Sequence, residues 1–317
     1  MASTGPRCAV VGAANIDIGG FPEGVMAMRD SNPGRIRMSS GGVGRNIACN
    51  LAKLGVQTQL VAALGGDAFA AVIRADCALA GVRLDHALAF EGAASSSYLF
   101  IADEGGDMQL AINDMGICAR ITPEALEGRI DMLNGMDAVV IDANLPEESV
   151  AWLAQNVRTP LLADAVSAAK AHRLLPALNG LCALKANAIE AATLTGLPVH
   201  DRASASAAAR RLVAMGVHRA FITLGERGAC AADEAGDAYL PGLPAQVVNA
   251  TGAGDAFTAA LTWMAAASPD AGLWAWLAAG LGAASIAIEA EPTVNPAMSD
   301  ELLAIRIRRI REQTPGQ

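Results

Sequence analysis

The chain has 317 residues, enough for one large α/β domain with a small appendage or for two domains. Hydrophobic residues make up 53% and charged ones 17%, which suits a folded globular protein and excludes a disordered one. The formal charge of −9 argues against a nucleic-acid surface, because phosphate backbones are bound by clustered Lys and Arg.

Before Arg7 there is no charged stretch followed by an apolar run, so no secretory signal is read and the cytoplasm is the expected compartment. Short β-branched or apolar runs then alternate with Ala-rich helical patterns, as in a mainly parallel sheet covered by helices on both faces. Strands are predicted over Cys8–Gly12, Gln59–Ala63, Ala138–Asp142, Leu161–Asp164, Ala183–Lys185 and Ala220–Thr223. Helices are predicted over Asn46–Leu54, Ala68–Ala80, Glu147–Gln155, Ala188–Gly196, Ser204–Met215, Ala253–Ala266 and Leu273–Ile288. Two segments, Ile16–Ser39 and Ser95–Ile117, break this rhythm with alternating apolar and polar positions and read as antiparallel strands of a small separate sheet. Such a sheet would form a lid over the carboxyl ends of the strands, where open α/β sheets bind ligands. The whole chain is expected to form a single doubly wound domain carrying that lid.

The apolar run Ala256 to Ala267 ends at Ser268-Pro269-Asp270, short of the ~20 residues that a membrane span needs, so no membrane partner is expected. Arg306, Arg308, Arg309 and Arg311 interleave with Ile305, Ile307 and Ile310 and read as the charged and apolar faces of a terminal helix. Cys8, Cys49, Cys77, Cys118, Cys182 and Cys230 stand singly, without metal-ligand spacing, and read as reduced, mostly buried small hydrophobes.

Candidate chemistry concentrates at Asn249-Ala250-Thr251-Gly252-Ala253-Gly254-Asp255, a glycine-bearing turn that runs into an apolar helix. Amides of Gly252, Ala253 and Gly254 at a helix start suit an anion, and Asp255 beside them could take a proton from an attacking hydroxyl. Taken alone, Asp255 would serve equally well as a helix cap. A second glycine turn, Gly41-Gly42-Val43-Gly44-Arg45-Asn46, precedes another helix and lacks the strand and spacing of a dinucleotide fingerprint; a polyol ligand suits it better. Asn15 and Asp17 follow the first strand, either as sugar-binding groups or as turn formers.

The ordered set Asn15-x-Asp17, Gly41-Gly42-x-Gly44-Arg45-Asn46, Asn187-x-x-Glu190, Thr223-Leu224-Gly225-x-x-Gly228 and Thr251-Gly252-Ala253-Gly254-Asp255 resembles the ribokinase-like (PfkB) carbohydrate kinases and spans nearly the whole chain. The resemblance implies a ribokinase-like fold, with Asp255 as base and Gly252, Ala253 and Gly254 as anion hole. Asn187 and Glu190 would organise Mg²⁺ and phosphate through water. Thr223, Gly225 and Gly228 would meet ATP, Gly282 and Ser285 would lie near its adenine, and Asp17, Gly42, Val43 and Asn46 would hold the ribose. Lys185 could approach a phosphate, although a surface lysine is the commoner reading. Where ribokinases often carry Asp, at a loop tied to monovalent-cation binding, this chain has Asn249, which counts against activation by K⁺.

Within that family, the segments Asp30 to Gly34, Ser95 to Tyr98 and Ala111 to Met115, together with Asn144 and Val166-Ser167, are similar to those of pseudouridine kinases. Pseudouridine keeps a ring N–H that uridine lacks, so its pocket must offer donors and acceptors together; Ser31, Asn32, Ser97 and Asn113 could supply them. The expected partners are pseudouridine and ATP, and a second copy docked through lid residues such as Phe100 and Ile101. Kinases of ribose, fructose or adenosine, and a non-catalytic sugar sensor, are the alternatives.

Overall fold

A computed structural model describes residues 5–314. Strand β1 (Arg7–Val11) leads into the hairpin β2 (Asn15–Pro22) and β3 (Gly34–Gly41). Helix α1 (Val43–Lys53) is followed by β4 (Gln57–Val61), β5 (Ala63–Gly65), α2 (Ala68–Leu79), β6 (Val82–Arg83) and β7 (Leu88–Phe90). A second hairpin, β8 (Ser97–Ala102) and β9 (Met108–Asp114), precedes the short helices α3 (Pro123–Glu127) and α4 (Ile130–Asn134). Strands and helices then alternate through β10 (Ala138–Asp142), α5 (Glu147–Asn156), β11 (Leu161–Asp164), α6 (Ala168–Ala171), β12 (Ala183–Asn187), α7 (Ala188–Thr195), α8 (Arg202–Ala214) and β13 (Arg219–Thr223). The hairpin β14 (Ala229–Asp233) and β15 (Gly236–Leu240), then α9 (Ala253–Ala267), α10 (Leu273–Ala287) and α11 (Asp300–Gln313), complete the described chain.

The main sheet has nine strands in the order β15-β14-β13-β12-β11-β10-β1-β4-β6. Pairing is parallel from β13 to β6 and antiparallel only at the β13–β14–β15 edge. Strands buried on both faces need apolar side chains at every position, and Ala138 to Ile141 supply them. Successive residues feed opposite cores: Cys8 and Val10 pack with α1, α9 and α10, whereas Ala9 and Val11 face the side of α5, α7 and α8. Chain direction through the sheet reverses between β1 and β10, and that switch point opens a crevice at the carboxyl ends of the strands.

The lid is a four-stranded sheet in the order β3-β2-β8-β9. Its two hairpins are antiparallel, as expected, but they join through a parallel β2–β8 pair, because both strands leave the main domain at the same hinge. Asp67 fastens that hinge: it caps α2 at the Ala70 amide and accepts both the amide and the hydroxyl of Ser95, each at 2.7 Å. Register separates the two lid faces. Gly19 lies opposite Phe100, whose ring occupies the space a side chain at Gly19 would need, and Phe100 lines the cleft. The outward face carries Ile36, Leu99, Leu110 and Ile112, exposed by 81%, 39%, 55% and 63%.

Further departures have local causes. The strand predicted over Gln59–Ala63 breaks at Ala62, beyond which β5 leaves the main sheet to pair with β7. The hairpin β14–β15 escaped prediction because Ala and Cys dominate its first strand, where β-branched residues would have marked it. Arg306 is not on a charged outer face: it is buried and donates to Glu289 at 2.5 Å. All six cysteines are free, five buried and Cys182 half-buried.

Candidate active site

Two helix N-termini converge on the switch point. At the start of α1, Gly42 has φ +96°, and a Cβ there would lie 2.6 Å from the Ala13 carbonyl oxygen, so only glycine lets the helix press against the exit of β1. At the start of α9, Gly252 has φ +87° and its Cα abuts the Thr293 carbonyl. No side chain caps α9, which leaves its first amides and the positive end of its dipole facing the crevice.

Asp255 stands in that first turn and accepts a hydrogen bond from Asn46 Nδ2 at 2.8 Å. Burial, reinforced by the nearby Asp164 charge, pushes its carboxyl up to about 7, against the pull of Asn46 and Lys185. A carboxylate balanced near neutrality suits general-base work.

Below it lies a buried charged layer at the ends of β10, β11 and β12. Asp164 accepts from Thr258 Oγ1 at 2.6 Å and lies 3.4 Å from Lys185 Nζ. Burial works against the Lys185 charge, but Asp164, Glu190 and Asp255 outweigh it and hold the ammonium above its usual range. A Cβ on Gly254 would sit 2.7 Å from Lys185 Nζ, so the lysine stands directly beside the anion hole. The surface reading of Lys185 is therefore corrected: it is 6% exposed. Asp142 accepts the amides of Ala13 and Asn144, each at 2.9 Å, and so fixes the turn that leads to Asn15.

On the nucleotide side, Asn187 pairs in register with Thr223 at the ends of adjacent strands. Asn187 caps α7 in a reciprocal box with Glu190: its Oδ1 accepts the Ile189 and Glu190 amides at 2.9 Å, and its N and Nδ2 each donate to Glu190 at 2.7 Å. The pair is thus held by itself, with the Glu190 carboxyl raised by burial. Gly225 and Gly228 take φ +63° and +91° in the turn after β13, and Gly228 lets that turn touch the end of β15. Gly282 and Ser285 lie in the packing of α10 against α11: Gly282 abuts Leu303, and the Ser285 hydroxyl donates to the Gly282 carbonyl at 2.7 Å.

On the lid, one cross-strand row aligns Ser39, Asp17, Tyr98 and Asn113, and the next aligns Arg37, Gly19, Phe100 and Ala111. Asn15 Nδ2 donates to Asp17 at 2.7 Å, although burial still raises the Asp17 carboxyl. Phe21 meets Phe100 edge-on at 5.7 Å. Asp17, Gly19, Phe21, Arg37, Ser39, Tyr98 and Phe100, together with Thr293, line a cavity of about 1200 Å³, whereas Asn113 lies exposed outside that lining. Ser97 belongs to the row of Ile16 and Asp114, on the opposite side of the pleat from Asp17. Ser31 and Asn32 sit at the exposed hairpin tip, where Asn32 exchanges hydrogen bonds with Ala27. Asn144 accepts from Lys170 Nζ at 2.6 Å. Among residues beyond the predicted set, Phe21, Tyr98 and Phe100 are the cleft aromatics, and the alternation of the last two along β8 was the signal that could have marked them.

Residues 6–300 match the family model described as pfkB family carbohydrate kinase. The chain belongs to that family. It is therefore a kinase of a sugar or nucleoside, with an alcohol group as phosphoryl acceptor. It is 37% identical over 254 residues to the pseudouridine kinase of Escherichia coli (strain K12), covering 80% of this chain and 81% of that protein. A carbohydrate kinase from Agrobacterium tumefaciens superposes with a TM-score of 0.84 at 29% identity, over 96% of this chain and 97% of that one. The ribokinase of Arabidopsis thaliana, solved with ribose and ATP, superposes with a TM-score of 0.85 over 96% and 99%; at 24% identity it speaks for the fold alone. No helix among the described residues is long and apolar enough to cross a membrane.

Proposed function

We propose that this kinase transfers the γ-phosphoryl group of ATP to the ribose 5′-hydroxyl of pseudouridine, yielding pseudouridine 5′-phosphate and ADP. The observation that carries the chemistry is Asp255, poised near neutrality in the first turn of α9 and held by Asn46. Its carboxylate takes the hydroxyl proton while the nucleoside oxygen forms its bond to phosphorus, and the bond to the leaving ADP oxygen breaks with the electron pair going to ADP. The amides of Gly252, Ala253 and Gly254, with Lys185 beside them, stabilise charge on the transferring group. A pure sugar sensor has no use for such a base.

Asp17, Gly42, Val43 and Asn46 hold the ribose, and lid closure excludes water that would otherwise take the phosphate. The likeness to a pseudouridine kinase supports the choice of nucleoside, as does the lid row that sets Asp17, Tyr98 and Asn113 side by side. Thr223 and Asn187 receive the nucleotide. Among the described residues no cluster of three or more His, Cys, Asp or Glu is arranged to hold a metal by itself. Mg²⁺ carried in on ATP phosphates would be held through water by Asn187 and Glu190 and would supply charge neutralisation at the phosphates. The outward lid face of Ile36, Leu99, Leu110 and Ile112 is proposed to pair with a second copy.

ATP consumption by purified protein with pseudouridine, uridine, ribose, fructose or adenosine as separate acceptors tests the reading. A preference for pseudouridine of at least about tenfold, ~1.4 kcal/mol in transition-state binding, is expected. Preference for another acceptor would overturn the substrate.

A further inference from the structure

The anion-hole turn is held from behind by one side chain. Asn249 Nδ2 donates to the Glu291 carbonyl at 2.8 Å, and Asn249 Oδ1 accepts the Thr251 amide at 2.9 Å. The backbone adds two more ties, from the Val248 and Asn249 amides to the Ile288 carbonyl at 2.8 and 3.2 Å. Gly252, next along, rests on the Thr293 carbonyl. The turn that aims the amides of α9 is thus bolted to the segment 288–293 through the Asn249 carboxamide. That segment also receives the lid, because Glu291 pairs with Arg37 of β3, whose guanidinium lies 5.2 Å over Phe21.

The donor set is wrong for a bound monovalent cation. Such an ion needs oxygens converging on it, whereas here an N–H group occupies the Glu291 carbonyl. The amide orientation is forced: turned over, it would set oxygen against the Glu291 oxygen and NH₂ against the Thr251 N–H. We propose that Asn249 is a positioning residue for phosphoryl transfer, whose carboxamide does the bracing that a monovalent cation would otherwise do, so that the kinase turns over without such an ion. The inference rests on the proposed phosphotransfer at Asp255. It adds a consequence: Asn249→Asp would set a carboxylate oxygen against the Glu291 carbonyl, a repulsion that a cation between them relieves.

The test compares initial rates, with ATP, magnesium and the best acceptor, in KCl and in tetramethylammonium chloride at equal ionic strength, for the wild-type protein and Asn249→Asp. Melting temperatures are taken in the same salts. Wild-type rates are expected to agree within about twofold, whereas Asn249→Asp loses about tenfold or more in kcat, with acceptor KM little changed, in tetramethylammonium and recovers in KCl. The melting temperature of the variant alone should rise with KCl. Several-fold activation of the wild-type protein by K⁺, or a variant identical to wild type in tetramethylammonium, would overturn the proposal. Absence of turnover with every acceptor would instead sink the proposed function, and the melting series would still judge Asn249.

Discussion

Asn46 Nδ2 donates to Asp255 Oδ2 at 2.8 Å, joining the first turns of two helices whose residues stand 209 positions apart. The bond favours the ionised carboxylate and opposes the burial that raises its pKa to about 7. Because the base must be deprotonated, kcat/KM is expected to rise with pH through about 7 and then level off. Asn46→Ala removes the donor, so the rising limb should move to higher pH; a pH–rate profile of both proteins decides this. Asp255→Asn should lower kcat by about a thousandfold or more while nucleoside binding stays measurable by calorimetry.

The same carboxyl makes a stability prediction of definite sign. A group whose folded pKa is raised holds its proton better in the native state, so the native state loses stability as pH rises from the unfolded value near 4 through about 7. Asp255→Asn abolishes that loss. The variant should therefore melt above the wild-type protein at pH 8, and the gap should close as pH falls to 4; a gap independent of pH would refute the titration.

Lys185→Met keeps most of the length of the side chain and removes its charge, leaving Asp164 buried without its ion-pair partner. Breaking one side of a buried pair costs about 3–5 kcal/mol, so urea unfolding should show a loss of that order. The KM for ATP should rise as well, which a purely structural lysine would not produce.

Gly252→Ala and Gly254→Ala should behave differently although they are neighbours. At Gly252 the left-handed backbone and the Thr293 carbonyl both reject a Cβ, so the variant should lose stability and activity together. At Gly254 the obstacle is the flexible end of Lys185, which can move. That variant should keep its melting temperature and lose kcat.

Ile112→Lys or Leu110→Lys would place a charge on the outward lid face. If that face joins two copies, light scattering should report a dimer for the wild-type protein and a monomer for the variants, with the melting temperature of each then depending on concentration only in the wild type.

Features legible in the sequence were those decided by near neighbours. Apolar runs marked the strands of the parallel sheet from Ala138 to Asp142 and from Leu161 to Asp164 to the residue, because strands buried on both faces are apolar up to the acidic residues at their carboxyl ends. The turn from Gly252 into α9 was equally visible, since glycine, small residues and an acid at a helix start are a local pattern. The Asn187 and Glu190 pair was placed correctly at a helix start, but its reciprocal hydrogen bonding was settled by backbone amides that only the folded α7 presents.

Tertiary structure alone decided what depends on groups distant in the chain. Nothing around Lys185 marks it as buried; it becomes so because β11 brings Asp164 beside it and α9 lays Gly254 over it. Which lid face bears Phe100 follows from cross-strand register, set by pairing β8 with β2 rather than by the alternation within β8 itself. Local periodicity reports which residues share a face, but only packing against the rest of the molecule says what that face meets.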